Sequence, residues 1–204
     1  MEKIKFIYFD IGGVMIKDFS ETDKWNQMTT KWKIFGERKK DIDAFFYNVE
    51  KEVCKGRDID DFLPILKNVF EIKVPKNYSI LKEFVDRFEK NEGIWKIAEN
   101  CQKKYEVGLL TAMYPRMFSS IKRRGLLPKI DFVIVDSSIE KCTKPDKEIY
   151  EIAQERAKVK AEEILFVDNK EKNLVVPKGM GWKTFLFDSR DYEKSNKELE
   201  KFLK

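Results

Sequence analysis

Four residues, far apart in the chain, have the types needed to handle a phosphate and a divalent cation. Asp10 follows the apolar run Phe6-Ile7-Tyr8-Phe9 and precedes Gly12 and Gly13. Thr111 follows Val107-Gly108-Leu109-Leu110, and Asp168 follows Ile164-Leu165-Phe166-Val167. Lys144 stands just before Pro145. A carboxylate is costly to bury alone, so Asp10 and Asp168 must face a crevice, a cation or several N–H donors. Mg²⁺ takes one or two carboxylates and completes its shell with substrate oxygens and water. A hydroxyl and an ammonium donate to phosphate oxygens. For Asp10 alone, capping of a following helix is an equal explanation; the set of four points to a site.

Such residues can meet only if the fold gathers them. The apolar runs at 4–9, 107–110, 132–135, 164–167 and 184–187 are short and rich in branched and aromatic residues, which predicts five buried strands. Helical spacing separates the later ones: Ile94, Ile97, Ala98 and Cys101; a helix opened by Pro115 and stopping near Gly125; a helix opened by Pro145 and carrying Ile149, Ile152 and Ala153; and a polar C-terminal helix. Strand–helix alternation predicts a parallel sheet covered on both faces. The carboxyl ends of its strands share one edge, which would bring Asp10, Thr111 and Asp168 together.

Residues 18–90 break this rhythm. Ile42, Phe45, Phe46, Val49 and Val53 recur at helical spacing, as do Phe62, Ile65, Leu66 and Val69. Ile80, Leu81, Phe84, Val85 and Phe88 repeat the pattern behind Ser79, a natural N-cap. No strand is expected there. The expected organisation is an α/β core from 1–17 and 91–204 with an all-helical insertion at 18–90.

Composition narrows the chemistry. The chain of 204 residues is 42% apolar with 16 Phe and 4 Trp, enough for a substantial core. It has no histidine, which excludes Ser-His-Asp and Cys-His catalysis and His-ligated metals. Proton carriers must be Asp, Glu, Lys, Tyr, backbone or water. Cys54, Cys101 and Cys142 form no C-x-x-C pair, and no run approaches the roughly 18 apolar residues that span a bilayer. With no secretory layout at the N-terminus, reduced thiols and a cytoplasmic setting are expected. The net charge of +5 is spread over mixed-sign surfaces, with one short basic run at Lys122-Arg123-Arg124, so neither nucleic acid nor membrane is an expected partner. The oligomeric state is left open.

The pieces resemble, in order, the four motifs of the haloacid dehalogenase (HAD) superfamily of hydrolases. Phe9-Asp10-Ile11-Gly12-Gly13-Val14 is similar to the first motif and Leu109-Leu110-Thr111 to the second. Thr143-Lys144-Pro145-Asp146, with Glu148-Ile149-Tyr150, is similar to the third, and Phe166-Val167-Asp168-Asn169, with Asn173, to the fourth. The resemblance spans nearly the whole chain. It implies a Rossmann-like core with the helical block as a C1 cap. It implies Asp10 as nucleophile, Thr111 and Lys144 as phosphate-binding residues, and a Mg²⁺ cofactor held by Asp10, Asp168 and the Gly12 carbonyl. The implied reaction is hydrolysis of a small phosphorylated metabolite through an aspartyl-phosphate. Gly56-Arg57-Asp58-Ile59, with Asp60-Asp61-Phe62, resembles a turn near the substrate entrance of such caps and makes Arg57 a substrate-binding candidate. An ordinary helix–helix turn with Gly at the cap fits the same residues.

The chain departs from the pattern at Gly12, where phosphatases of the family carry an acid/base Asp, and at Asn169, where a second acid is common. Positioned acid–base catalysis is worth about 10²–10⁴-fold. Three readings follow: a phosphatase whose substrate has a good leaving group; a carbon–halogen hydrolase, with Arg38 or Arg57 for a substrate carboxylate; or a catalytically impaired binding protein. Asp18 and Asp136 are further acids that could replace the missing one, and the sequence favours neither. Asn173 suits a metal loop, and equally a helix cap or a packing role. The stripe Trp25, Met28, Trp32 and Phe35 suits the core of the helical block better than a substrate pocket. Gly179-Met180-Gly181 reads as a turn, and Cys142 earns attention only by its nearness to Lys144.

Overall fold

The first apolar run forms β1 (Phe6–Phe9), with all four residues buried, in a computed structural model that describes residues 3–204. The first two residues of the expected core segment 1–17 lie outside the described residues. A short β2 (Ile16–Lys17) leads into helices α1 (Lys24–Lys31), α2 (Glu37–Cys54), α3 (Leu63–Asn68) and α4 (Ile80–Val85), with a 3-10 turn at Ile59–Phe62. β3 (Glu89–Lys90) returns the chain to α5 (Glu92–Cys101) and β4 (Glu106–Thr111). Then follow α6 (Met117–Arg123), β5 (Val133–Asp136), α7 (Ser137–Glu140), α8 (Lys147–Ala157), β6 (Ile164–Asp168), α9 (Glu171–Gly179), β7 (Lys183–Leu186) and α10 (Tyr192–Phe202).

Five strands make one parallel sheet in the order β5-β4-β1-β6-β7. The chain builds outward from β1 on one side, then crosses to the other. The reversal flanks β1, and at such a switch point the loops diverge and leave a crevice. The pleat splits the apolar strands between two faces. Ile7, Phe9, Leu109 and Val167 join Ile94, Ile97 and Leu199 on one side, under α5 and α10. Phe6, Tyr8, Leu110 and Phe166 join Ile149, Ala153 and Leu174 on the other, under α8 and α9. Tyr8 is fully buried; its hydroxyl donates to the Ala153 carbonyl at 2.8 Å, and its ring stacks on Trp182.

Three local expectations need correction. The sequence predicts no strand within 18–90, but β3 pairs antiparallel with β2, Ile16 opposite Lys90 and Lys17 opposite Glu89. Two-residue strands leave no period to read; they form because the chain leaves and re-enters the sheet region side by side. Pro115 and Pro145 lie in the turns ahead of α6 and α8 rather than at their first residues. Arg116 adopts φ 65°, which breaks the helix before Met117, and Asp146 is extended as the N-cap before Lys147. Val69 is 67% exposed although it continues the apolar row of Phe62 and Leu66, because α3 ends at Asn68.

The buried residues of the helical block continue the core that packs on the α5 and α10 side of the sheet. Met28 and Trp32 are buried, Trp25 meets Phe46 edge-on at 4.9 Å, and Phe35 projects into solvent past the end of α1. Ser79 caps α4 by accepting from the Lys82 N–H. Asp60 reinforces that cap: its carboxylate accepts from the Ile80 N–H at 2.6 Å, the Ser79 hydroxyl at 2.6 Å and Arg116 at 2.9 Å. These donors outweigh the cost of burial and hold the Asp60 carboxyl below its ordinary value. Among the described residues no helix is long and apolar enough to cross a membrane.

Gly108 lies where a Cβ would sit 2.5 Å from the Tyr8 ring and 2.8 Å from the Val133 carbonyl, whereas nothing lies within 4 Å of one at Gly179. Gly108→Ala should therefore destabilise by about 1–3 kcal/mol in urea unfolding, and Gly179→Ala should stabilise by about 0.5–1 kcal/mol; equal effects would contradict the packing described. The Asp60 carboxylate stabilises only while ionised. Its contribution is complete above the ordinary carboxylate pKa and is lost as pH falls from about 4 toward its lowered folded value. The stability gap between the parent and Asp60→Ala should accordingly be full at neutral pH and shrink over that acid range.

Candidate active site

Phe9 at the end of β1 lies between Leu109 and Val167 of the flanking strands. Asp10 therefore emerges at the middle of the sheet's carboxyl edge, beside Asp168 at the end of β6. The loop between α7 and α8 sends Lys144 into the same place. Its ammonium is 3.0 Å from Asp10 Oδ1 and 2.5 Å from Asp168 Oδ2, and it donates to the Leu110 carbonyl at 3.1 Å. The ammonium thus donates hydrogen bonds to the Leu110 carbonyl and Asp168 and forms an ion pair with Asp10. Asp168, fully buried, also accepts from the Lys170 N–H at 2.7 Å and from Asn173 Nδ2 at 3.1 Å to each oxygen. Asn173 is held in turn by the Tyr150 hydroxyl, which donates to its carbonyl at 2.7 Å. Asn173 thus holds the Asp168 carboxylate from the first turn of α9.

Burial pushes Asp10 up to about 6, opposed by Lys144 and aided by the nearby Asp168 charge. Burial draws Lys144 toward neutrality, but the two carboxylates outweigh it and hold its pKa above the ordinary lysine value. Two carboxylates against one ammonium leave a net negative charge in the crevice.

A cavity of about 750 Å³ opens above this trio. Gly12 and Asn169 form one side, with Gly13 next to them. Gly13 has φ +76°, and a Cβ there would overlap Asn169 and approach the Ser189 hydroxyl at 2.9 Å. That hydroxyl donates to the Gly13 carbonyl at 2.7 Å. Asn169 Oδ1 is buried beside Asp168 with no hydrogen-bond partner among the described residues. Asp18 also lines the cavity; its Oδ1 accepts from the Ser20 N–H at 2.8 Å, and burial pushes its carboxyl up. Aromatic residues of the helical block, Trp25, Phe46 and Phe84, line the cavity with Phe19 and Phe88.

The structure brings Asp10, Gly12, Lys144 and Asp168 to one point. Thr111 closes β4 on the same edge but is buried below the cavity wall, whose lining starts at Ala112. Arg57 is elsewhere: its guanidinium is paired with Glu52 at 2.8 Å and lies 4.2 Å over the Phe62 ring, so it faces the surface of its own turn. Arg38 is bound to the Phe70 carbonyl and lies 3.7 Å from Glu71. Asp136 caps α7, accepting from the Ser138 N–H at 2.9 Å. Cys142 is buried, and burial raises its thiol pKa, so its nearness to Lys144 confers no reactivity. Gly181 sits in the turn before β7. Lys170 and the segment Asp188-Ser189-Arg190 line the cavity and escape sequence reasoning. The rule that strand ends carry the site, extended to β7, would have found the latter.

Comparison with known proteins bears on the identity of this crevice. A family model described as haloacid dehalogenase-like hydrolase matches residues 4–175. No curated protein matches the sequence. Among solved structures, a HAD family enzyme from Bacteroides thetaiotaomicron, in a magnesium complex, superposes with TM-score 0.72 at 18% identity, covering 93% of this chain and 96% of its own. The same enzyme with magnesium and inorganic phosphate gives TM-score 0.68 at 20% identity, covering 92% and 96%. An L-2-haloacid dehalogenase from Xanthobacter autotrophicus with chloropropionic acid covalently bound gives TM-score 0.63 at 14% identity, covering 90% and 77%. The family match over most of the chain, on a sheet that sets an aspartate at its switch point, makes this protein a member of the haloacid dehalogenase-like hydrolase family.

Proposed function

We propose that the protein is a Mg²⁺-dependent phosphatase acting on a small phosphorylated metabolite, with the helical block at 18–90 as its cap domain. The observation that carries this reading is the buried Lys144 ammonium set between Asp10 and Asp168 at the base of a cavity. An ammonium so placed can hold the nucleophile in line and receive a phosphoryl oxygen, and phosphoryl transfer depends chiefly on positioning and charge neutralisation.

The residues fit a magnesium site. Among the described residues no three His, Cys, Asp or Glu side chains form a metal cluster, but Mg²⁺ needs only one or two carboxylates with neutral oxygens and water. Asp10, Asp168 and the Gly12 carbonyl would hold it, and the unpartnered Asn169 Oδ1 is a further neutral oxygen at the same place. When bound, the ion would neutralise charge on the phosphoryl group. Asp10 attacks phosphorus and becomes the aspartyl-phosphate. Lys144 orients the phosphoryl oxygens, with the Thr111 hydroxyl as a donor from the strand end beneath. The aromatic roof excludes water while the bond is transferred.

A carbon–halogen hydrolase is less well supported. Arg38 and Arg57, the cap candidates for a substrate carboxylate, are engaged outside the cavity. Two outcomes are expected. The protein should release phosphate from p-nitrophenyl phosphate or a sugar phosphate only with Mg²⁺, and release no chloride from 2-chloropropionate; metal-independent halide release would reverse the reading. Asp10→Asn should lower phosphate release by roughly a thousandfold or more, while Lys144→Met, which strands two buried carboxylates, should also destabilise the fold by about 3–5 kcal/mol in chemical denaturation.

A further inference from the structure

The proposed reaction needs a proton for the departing alcohol, and the chain has no histidine to carry it. Besides Asp10, five acids line the cavity: Asp18, Glu21, Asp43, Glu50 and Asp188. Asp43 is held by Trp25 Nε1 at 2.6 Å and by Lys39 at 2.6 Å. Asp188 is clamped by Arg190 at 2.8 Å. Glu21 and Glu50 are exposed. Asp18 differs from all of these. Its Oδ1 is fixed by the Ser20 N–H, and its Oδ2 fills the space directly over Gly12, so that a Cβ on residue 12 would collide with it. Asp18 thus sets a carboxyl oxygen in the space that a side chain at position 12 would occupy, two residues along the chain from Asp10.

Resting on the phosphatase reading, we propose that Asp18 is the catalytic acid and base of this enzyme. As Asp10 bonds to phosphorus, the bond from phosphorus to the leaving oxygen breaks and its electron pair takes the proton of the Asp18 carboxyl. In the second half, the Asp18 carboxylate takes a proton from water as the water oxygen bonds to phosphorus. The bond from phosphorus to Asp10 then breaks, its electrons return to the Asp10 carboxylate, and inorganic phosphate leaves. Gly12 is a necessity of this arrangement, since any side chain there would displace Asp18.

Asp18→Asn keeps an oxygen for the Ser20 N–H, so the variant should melt with the parent. A p-nitrophenolate ion departs without a proton, whereas an alkoxide does not. Asp18→Asn should therefore still give a stoichiometric burst of nitrophenolate from p-nitrophenyl phosphate with Mg²⁺. Its steady turnover should fall 10²–10⁴-fold, and an alkyl phosphate such as glycerol phosphate should give no burst. Gly12→Asp alone should lose activity through crowding, and Gly12→Asp with Asp18→Gly should regain it. An Asp18→Asn enzyme that turns over alkyl phosphate like the parent would overturn the assignment, as would a folded variant lacking the nitrophenolate burst. A parent protein without phosphate release on any substrate would instead overturn the phosphatase reading and this assignment with it.

Discussion

One lysine holds the centre of this molecule together. Two carboxylates at adjacent strand ends would repel each other and resist burial, and the Lys144 ammonium makes their burial tolerable. The compensation is incomplete by one charge, and that remainder sets the character of the crevice. It favours a cation, and burial together with the neighbouring Asp168 charge holds the Asp10 pKa above the ordinary carboxylate value. Everything around the trio is arranged to keep it rigid: the Leu110 carbonyl beneath, Asn173 from α9, and the Tyr150 hydroxyl behind Asn173. Such a cluster adds little to net stability, yet the loss of any member leaves a charge stranded. Its value lies in preorganisation.

The two halves of the cavity divide the work by polarity. The sheet edge contributes charge and backbone oxygens; the helical block contributes an aromatic roof in which Trp25, Phe46 and Phe84 meet edge-on or tilted. A low-dielectric cover strengthens each electrostatic contact under it. The arrangement depends on the anchor at Asp60, which ties α4 to Arg116 and so joins the roof to the loop that follows β4.

The five parallel strands were legible because each is a nearly unbroken apolar run ending in a polar residue, as at Phe9-Asp10 and Val167-Asp168. The same pattern explains why Asp10 and Asp168 meet, since strand ends in a parallel sheet share an edge whatever their separation in sequence; Lys144 reaches them from the loop between α7 and α8. What escaped was of two kinds. β2 and β3 are too short to show a period. Arg57 and Asp18 are decided by contacts between distant segments: nothing in the local sequence says that Arg57 stacks on Phe62 or that Asp18 folds back over Gly12. Side-chain destinations in loops depend on partners that only the assembled core supplies.

The Ser189 hydroxyl grips the Gly13 carbonyl, so the loop beyond the outermost strand secures the turn beside the nucleophile. A ribosome makes Asp10 early and Ser189 much later. Until Ser189 is made, a nascent chain carries Asp10 beside a turn that lacks this clamp. The turn beside Asp10 therefore gains this support only after residue 189 has been made, and a product terminated before it would lack the clamp.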